Sequence, residues 1–406
     1  MSLEASLQSA VDSKQLLPEA LENIQSLLAA STNPLYRASI AELAKGGHWA
    51  ELNDRFFQKL KFGTGGLRGR TIGKVVTRAE RGKAKKNLRP DQPCVGTNAM
   101  NFYNVSRATR GLVAYVLKWR AKKKLPGRPG IVFAHDTRHF SAEFAKFCAR
   151  IAIEHGVDVH LFDGPRATPE MSFAVRTLRA DAGVMITASH NPPHDNGYKV
   201  NFSDGAGIVE PHASGIIAEV NAIKGEDYKP LAKTKQGKLK KLGKDMDKIY
   251  LERVQTMMLQ PELLQDLHAK KLKIVYTALH GAGGVLVPVI LKKLGFNFFT
   301  VPKQDVFDGR FPTVESPNPE NAPALAMAVD LANEKKADIV IGTDPDCDRM
   351  GVGVRDEKGK MILLTGNQTG SLMAWYRIKT MFELGILSEK NKKNAVLLKT
   401  FVTSPM

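Results

Sequence analysis

An α/β fold built from layered sheets, behind an N-terminal helical extension, is what this sequence of 406 residues predicts. Three observations carry the prediction. Short apolar runs alternate with helical patterns from residue 130. The alternation restarts at residue 273. In each series one apolar run breaks into a polar loop and returns as a second apolar run. Strands alternating with helices mean a sheet covered by helices, with ligands expected at the carboxyl ends of the strands.

In chain order, residues 1–60 read as helical support, because Leu17–Ala30 and Ile40–Leu60 carry apolar residues at helical spacing around the breaks Ser31-Thr32-Asn33-Pro34 and Gly46-Gly47. Lys61-Phe62-Gly63-Thr64-Gly65-Gly66-Leu67-Arg68-Gly69-Arg70 follows, glycine-rich enough for close backbone approach, with Arg68 and Arg70 able to meet a phosphate. By itself this stretch fits a plain turn equally well. Gly130–His135, Val157–Phe162 and Ala182–Ile186 predict strands, with Ala142–His155 and Pro169–Leu178 as the helices between them. Asp195-Asn196-Gly197 predicts a turn and Tyr198–Phe202 the returning strand. The lysine-rich segment 229–248 predicts a surface excursion near a domain boundary, and Asp247–Met257 a helix. The second series has strands at Lys273–Tyr276, Phe296–Val301 and Asp338–Ile341, and helices at Val285–Leu294 and Ala322–Glu334. Met361–Leu364, Asn367–Phe382 and Ala395–Thr400 predict a strand, helix and strand that open a third unit. The expected boundaries are therefore 1–60, 61–255, 256–357 and 358–406.

Composition narrows the field. The chain is 43% hydrophobic and 25% charged, as in a globular protein of two or three domains. No apolar run approaches the roughly 18 residues a membrane span needs. With no basic, then apolar, leader at Met1-Ser2-Leu3 and three scattered cysteines, the sequence reads as cytoplasmic with reduced thiols. A net charge of +18 is concentrated in two basic runs, residues 74–89 and 229–248. Neither is interleaved with the aromatics that stack bases, so no nucleic-acid and no membrane partner is expected. The runs fit a solvated surface or a field that attracts an anionic substrate.

Two loops carry chemistry. Ser189 lies where the run Ala182–Ile186 breaks, followed by His190, Asn191 and two prolines. A hydroxyl held between two strands and facing outward suits a nucleophile. An isolated Ser-His pair would be an ordinary loop; the second stretch, Gly342-Thr343-Asp344-Pro345-Asp346-Cys347-Asp348-Arg349, argues otherwise. Asp344, Asp346 and Asp348 on one short rigid loop repel one another and call for a cation. Oxygen donors alone suit Mg²⁺ better than Zn²⁺. Arg349 beside such a site suits a phosphate oxygen. His280 reads as a turn residue opening a helix.

These residues carry a resemblance. Thr187-Ala188-Ser189-His190-Asn191-Pro192 with Asn196-Gly197-Tyr198-Lys199, the stretch Gly342–Arg349, and Phe62–Gly69 together resemble the signatures of the α-D-phosphohexomutase superfamily, the phosphoglucomutases and phosphomannomutases. The extension with Leu52-Asn53-Asp54-Arg55-Phe56 is similar to the branch of phosphopentomutases and glucose-1,6-bisphosphate synthases. The resemblance implies successive three-layer αβα domains with mixed sheets, the third incomplete here and the fourth absent, in a chain that would be a fragment with impaired turnover. It implies an intramolecular phosphotransferase acting on a phosphorylated hexose or pentose, with a sugar 1,6-bisphosphate as intermediate and activator. Ser189 would be the phosphoserine. Mg²⁺ would be held by Asp344, Asp346 and Asp348, with a Ser189 phosphate oxygen as a further ligand. Arg68 and Arg349 would steady phosphate, Lys199 would serve as acid/base and His190 would line the site. Two alternatives stay open: a non-catalytic sugar-phosphate or metal-binding protein, and a serine hydrolase, which lacks Gly-x-Ser-x-Gly and leaves the acidic loop unexplained.

Overall fold

The computed structural model describes residues 2–63, 65–266 and 270–399, in two compact units, Met1–Gly243 and Lys244–Met406. Among the described residues no helix is long and apolar enough to cross a membrane.

The first unit opens with α1 (Leu3–Asp12), α2 (Pro18–Ala29), α3 (Pro34–Lys45) and α4 (Trp49–Phe56). Prolines at the first turns of α2 and α3 fit there because that turn has no amide partner to lose. The inward faces of these helices, including Ile24, Ile40, Leu52 and Phe56, pack with Val95 and Tyr103 of the following segment. Buried Arg55 locks the same junction, pairing with Glu51 at 2.8 Å and Glu80 at 2.5 Å. Next come β1 (Leu67–Arg70), α5 (Arg78–Arg81) and α6 (Phe102–Lys122), which Asn101 caps by accepting from the Asn104 amide. They are followed by β2 (Gly130–His135), α7 (Ser141–Glu154), β3 (Asp158–Phe162), α8 (Thr168–Thr177), β4 (Ala182–Ile186), β5 (Asp195–Phe202), α9 (His212–Ala222) and β6 (Leu239–Leu242). The sheet order is β1-β5-β4-β2-β3-β6. β3 and β4 run parallel to β2, whereas β5 turns back antiparallel on β4 and β1 is antiparallel to β5.

The second unit holds α10 (Lys244–Gln255), β7 (Lys273–Thr277), α11 (Gly283–Lys293), β8 (Asn297–Thr300), α12 (Ala322–Lys335), β9 (Ile339–Thr343), β10 (Met350–Arg355), β11 (Met361–Leu364) and α13 (Gly366–Glu383). Its sheet runs β11-β10-β9-β7-β8. β8 and β9 are parallel to β7, β10 is antiparallel to β9, and β11 is antiparallel to β10. Thus β5-β4-β2-β3 and β10-β9-β7-β8 are the same arrangement made twice, and both motif loops fall at the turn where a parallel strand hands over to an antiparallel one.

Several expectations need correction. Asp195-Asn196-Gly197 is not a turn: these residues already pair with Arg70, Gly69 and Arg68. The reversal lies one step earlier, where the Asp195 amide donates to the Pro192 carbonyl. Part of the basic segment forms β6, parallel to β3 at the sheet edge, where lysines discourage further pairing. α10 belongs to the second unit rather than to the end of the segment 61–255. β11 does not open a third unit. A tight turn, with the Asp356 amide on the Lys360 carbonyl at 2.9 Å, folds it back on β10 as the fifth strand of the second sheet. The strand expected at Ala395–Thr400 is missing over 395–399, where no described strand offers a partner, and Thr400 to Met406 lie outside the described residues.

Candidate active site

At the end of β4 the chain is held by a buried network. Asp136, just past the end of β2, accepts the Thr187 hydroxyl at 2.6 Å, the Ser141 hydroxyl at 2.7 Å and the Arg138 amide at 2.9 Å. Thr187 Oγ1 in turn accepts the Ser189 amide at 2.8 Å. Arg138 grips the loop backbone: its guanidinium donates to the carbonyls of Ser189 at 2.6 Å, Pro192 at 2.8 Å and Asp195 at 3.2 Å, and also to that of Asn191. It also lies 3.4 Å from Asp136. Burial pushes the Asp136 carboxyl above its ordinary range, against Arg138 and the two hydroxyls, which pull it down.

Ser189 has φ 53°, a left-handed conformation unusual for a residue with a β-carbon. Its Oγ is 3.4 Å from His190 Nδ1. The residue is fully buried, against the outward-facing hydroxyl expected from sequence. The left-handed turn and the grip of Arg138 on its own carbonyl fold the loop onto the strand ends. Arg68 on β1 reaches the same loop, donating to Asn191 Oδ1 at 3.3 Å. A cavity of about 430 Å³ opens there, lined by Arg68, Arg70, Asn191, His194 and Asp195 among others. Burial lowers the pKa of the His194 imidazole, with Asp195 opposing. Lys199 sits on β5 opposite Met185, half-buried between the core residues Tyr198 and Val200.

The acidic loop joins β9 to β10. Carboxylate oxygens of Asp344, Asp346 and Asp348 lie within 4.8 Å of one another, with the first two residues buried and the third exposed. Asp344 also orders the backbone, accepting the Asp348 amide at 3.2 Å and the Arg349 amide at 3.1 Å. The start of α11 holds the loop from below: the Ala282 amide donates to the Pro345 carbonyl at 2.8 Å. Gly281 is required there, since a Cβ would lie 2.5 Å from Pro345 Cα. Cys347 adds no soft ligand. Burial pushes its thiol up to about 12, and the three neighbouring carboxylates act in the same direction. A donor set of converging hard oxygens fits a small divalent cation such as Mg²⁺. The Arg349 guanidinium is 3.9 Å from Asp348. His280 is buried and occupied in framing the loop region, through Val306 O at 2.9 Å and Thr313 Oγ1 at 2.8 Å.

Within the first unit the structure brings Ser189, His190 and Arg68 to one loop and leaves Lys199 on the strand behind. Within the second it brings the three aspartates and Arg349 together. The sequence reading missed Arg138 and Asp136, and named Thr187 only as part of the serine motif. Their signal was present: Asp136-Thr137-Arg138 immediately follows a predicted strand, at the edge where ligands collect.

The chain is similar to known proteins. Residues 93–227 match the family model described as phosphoglucomutase/phosphomannomutase, alpha/beta/alpha domain I, and residues 248–359 match that of domain II. Phosphoglucomutase of Staphylococcus aureus strain N315 is 36% identical over 338 residues, covering 82% of this chain and 55% of the relative. That of strain MRSA252 is 35% identical over the same length. The chain thus spans about half the length of the curated relatives it matches. Among solved structures, a Thermus thermophilus protein assigned as a phosphomannomutase superposes with TM-score 0.60 at 25% identity, over 79% of this chain and 62% of that one. A phosphoglucomutase/phosphomannomutase family protein of Burkholderia thailandensis shares the fold, with TM-score 0.52 at 23% identity over 75% of this chain and 56% of its own.

Proposed function

The chain belongs to the phosphoglucomutase/phosphomannomutase family, and from that premise we propose that it carries the phosphoryl-transfer half of a phosphosugar mutase. The observation that carries the reading is the Ser189 loop: a serine in a strained conformation, its amide and carbonyl both fixed by buried partners, beside an arginine-lined cavity.

In this reading Ser189 Oγ carries a phosphoryl group and gives it to a sugar hydroxyl; the Oγ–P bond breaks as the sugar O–P bond forms. The resulting sugar bisphosphate then returns its other phosphoryl group to Ser189. Lys199 takes and returns the hydroxyl proton. Arg68, and Arg349 in the second unit, neutralise phosphate oxygens, and His190 keeps the serine environment polar. Asp344, Asp346 and Asp348 would hold Mg²⁺. When bound, the cation supplies charge neutralisation for the transferring phosphoryl group. Such transfer depends on positioning and electrostatics more than on elaborate covalent chemistry, which is what rigid loops offer.

The test is direct. With a hexose 1,6-bisphosphate and Mg²⁺, intact mass and peptide mapping should find one phosphate, on Ser189, and a chelator should suppress it. Ser189→Ala should gain none. Equal incorporation by the alanine variant would refute the assignment. Binding of glucose 1-phosphate with no phosphate on Ser189 would support the non-catalytic sugar-phosphate alternative.

A further inference from the structure

The first unit contains a second, larger cavity of about 850 Å³ that plays no part in the scheme above. Its walls come from α2, the segment 58–62, the start of α6 and the end of α9. Four cationic residues line it, Lys59, Lys61, Arg107 and Lys224, and among its described lining residues there is no carboxylate.

Arg107 is the telling member. It is 5% exposed, yet among the described residues no acid pairs with it. Its guanidinium donates instead to Ile223 O at 2.8 Å, Asn104 Oδ1 at 3.2 Å and Val220 O at 3.4 Å, and it lies 5.5 Å from the centre of the Tyr103 ring. Carbonyl dipoles and a π-face stabilise a cation only in part, and a buried charge without a counter-charge is costly. The acid that follows in sequence, Glu226, directs its two oxygens to Ser31 and Tyr36, each at 2.6 Å. Glu226 therefore makes no ion pair with Arg107 among the described contacts, and no carboxylate stands among the cavity's described lining residues. Leu60, Phe62 and Tyr103 add apolar and aromatic surface to the same walls. A cavity of this size, apolar on one side and cationic on the other, falls in the range of small-molecule sites.

We propose that this cavity is a second anion site, which takes a small ring-bearing molecule with one or more phosphate groups, the chemistry that sugar phosphates and nucleotides share. It also has a route to the Ser189 loop. Leu60 lines both this cavity and the smaller one that holds Arg68 and Arg70. The segment carrying it is pinned at both sides, by the Leu60 amide on Thr97 O and the Thr97 hydroxyl on Gln58 O, each at 2.8 Å. A ligand that orders residues 58–62 would order the entry to β1 as well. The site itself stands independently of what Ser189 does.

Binding to the full chain would be measured calorimetrically at low salt without added metal, with pyrophosphate, ADP and glucose 6-phosphate as separate probes. Lys59 and Lys224 are exposed and can be neutralised without disturbing the core. At least one probe should bind, and Lys59→Gln/Lys224→Gln should weaken it at least about tenfold, as expected for loss of charge-assisted contacts, with unchanged melting. Lys240→Gln, which removes a charge from the exposed edge strand β6, should leave that binding within about twofold. Preference for ADP or for glucose 6-phosphate would name the source, and bound probe should slow hydrogen exchange over residues 58–62. No binding by any probe at millimolar concentration, unchanged binding in the double lysine variant, or an equal loss in Lys240→Gln would overturn the proposal.

Discussion

Replacing Arg138 by methionine keeps most of the side-chain volume and removes the charge. Asp136 would lose its buried cation, and the carbonyls of Ser189, Asn191, Pro192 and Asp195 would lose a common donor. Breaking a buried pair from one side costs about 3–5 kcal/mol. For a unit of this size each kcal/mol moves the midpoint by about 2–4 °C, so a fall of about 6–20 °C is expected. The loss should depend on pH. Burial raises the folded-state pKa of Asp136 above its ordinary 3.8, so the folded chain holds a proton there more readily than the unfolded chain does. Its contribution is fully present below the unfolded pKa and is lost as pH rises through the folded pKa. Arg138 limits that loss by pulling the folded pKa down, and without it the folded pKa climbs further. Arg138→Met should therefore be closest to wild type near pH 4 and furthest below it near pH 8, with phosphorylation of Ser189 falling in step. Calorimetry across that pH range, with exchange rates for residues 187–195, checks this. A variant within about 0.5 kcal/mol of wild type at every pH, the range of ordinary surface changes, would refute the view that Arg138 holds the loop.

Three further outcomes are expected. At separations of no more than 4.8 Å the buried aspartates of the acidic loop repel by at least about 3 kcal/mol at an effective dielectric of about 20, with less from exposed Asp348. Asp346→Asn should therefore raise the melting temperature without metal and abolish the Mg²⁺-induced rise; an unchanged Mg²⁺ response would count against the site. A Cβ on Gly111 would lie 2.4 Å from Val220 Cγ2 and 2.7 Å from its backbone nitrogen, where α6 meets α9. Overpacking there outweighs the gain in helix propensity, so Gly111→Ala should lose about 1–2 kcal/mol in denaturant titration. Cys94 and Cys148 are buried and burial pushes each thiol up to about 12, so at pH 8 a disulfide reagent should label them only as fast as the chain opens.

Much of this was legible beforehand because hydrophobic periodicity and turn residues report locally. Met361–Leu364 and Ala182–Ile186 have the limits the sequence predicts and the strand before Asp344 has them to within two residues, whereas the strand after Ser189 begins three residues earlier than predicted. The misses have a common cause. β1 is Leu-Arg-Gly-Arg and β6 is Leu-Lys-Lys-Leu, four residues each at sheet edges, where pairing rather than apolar content makes the strand. β11 was found but given to the wrong unit, since a hairpin partner is a long-range fact that no window contains. The acidic loop could be read from residue types, but the role of Arg138 could not. Its partners are carbonyls, which have no letter in a sequence.

The arrangement that occurs twice, β5-β4-β2-β3 and β10-β9-β7-β8, separates location from chemistry. In each copy the backbone reverses at one address. The first copy writes a hydroxyl there, in Thr187-Ala188-Ser189, and the second writes carboxylates, in Asp344-Pro345-Asp346. Each loop adds to its own side-chain hydrogen bonds a grip from outside, by Arg138 in one case and by the start of α11 in the other. Such a scaffold can exchange the contents of that address while the sheet beneath keeps its register, so a nucleophile and a cation cradle become two inscriptions on one template.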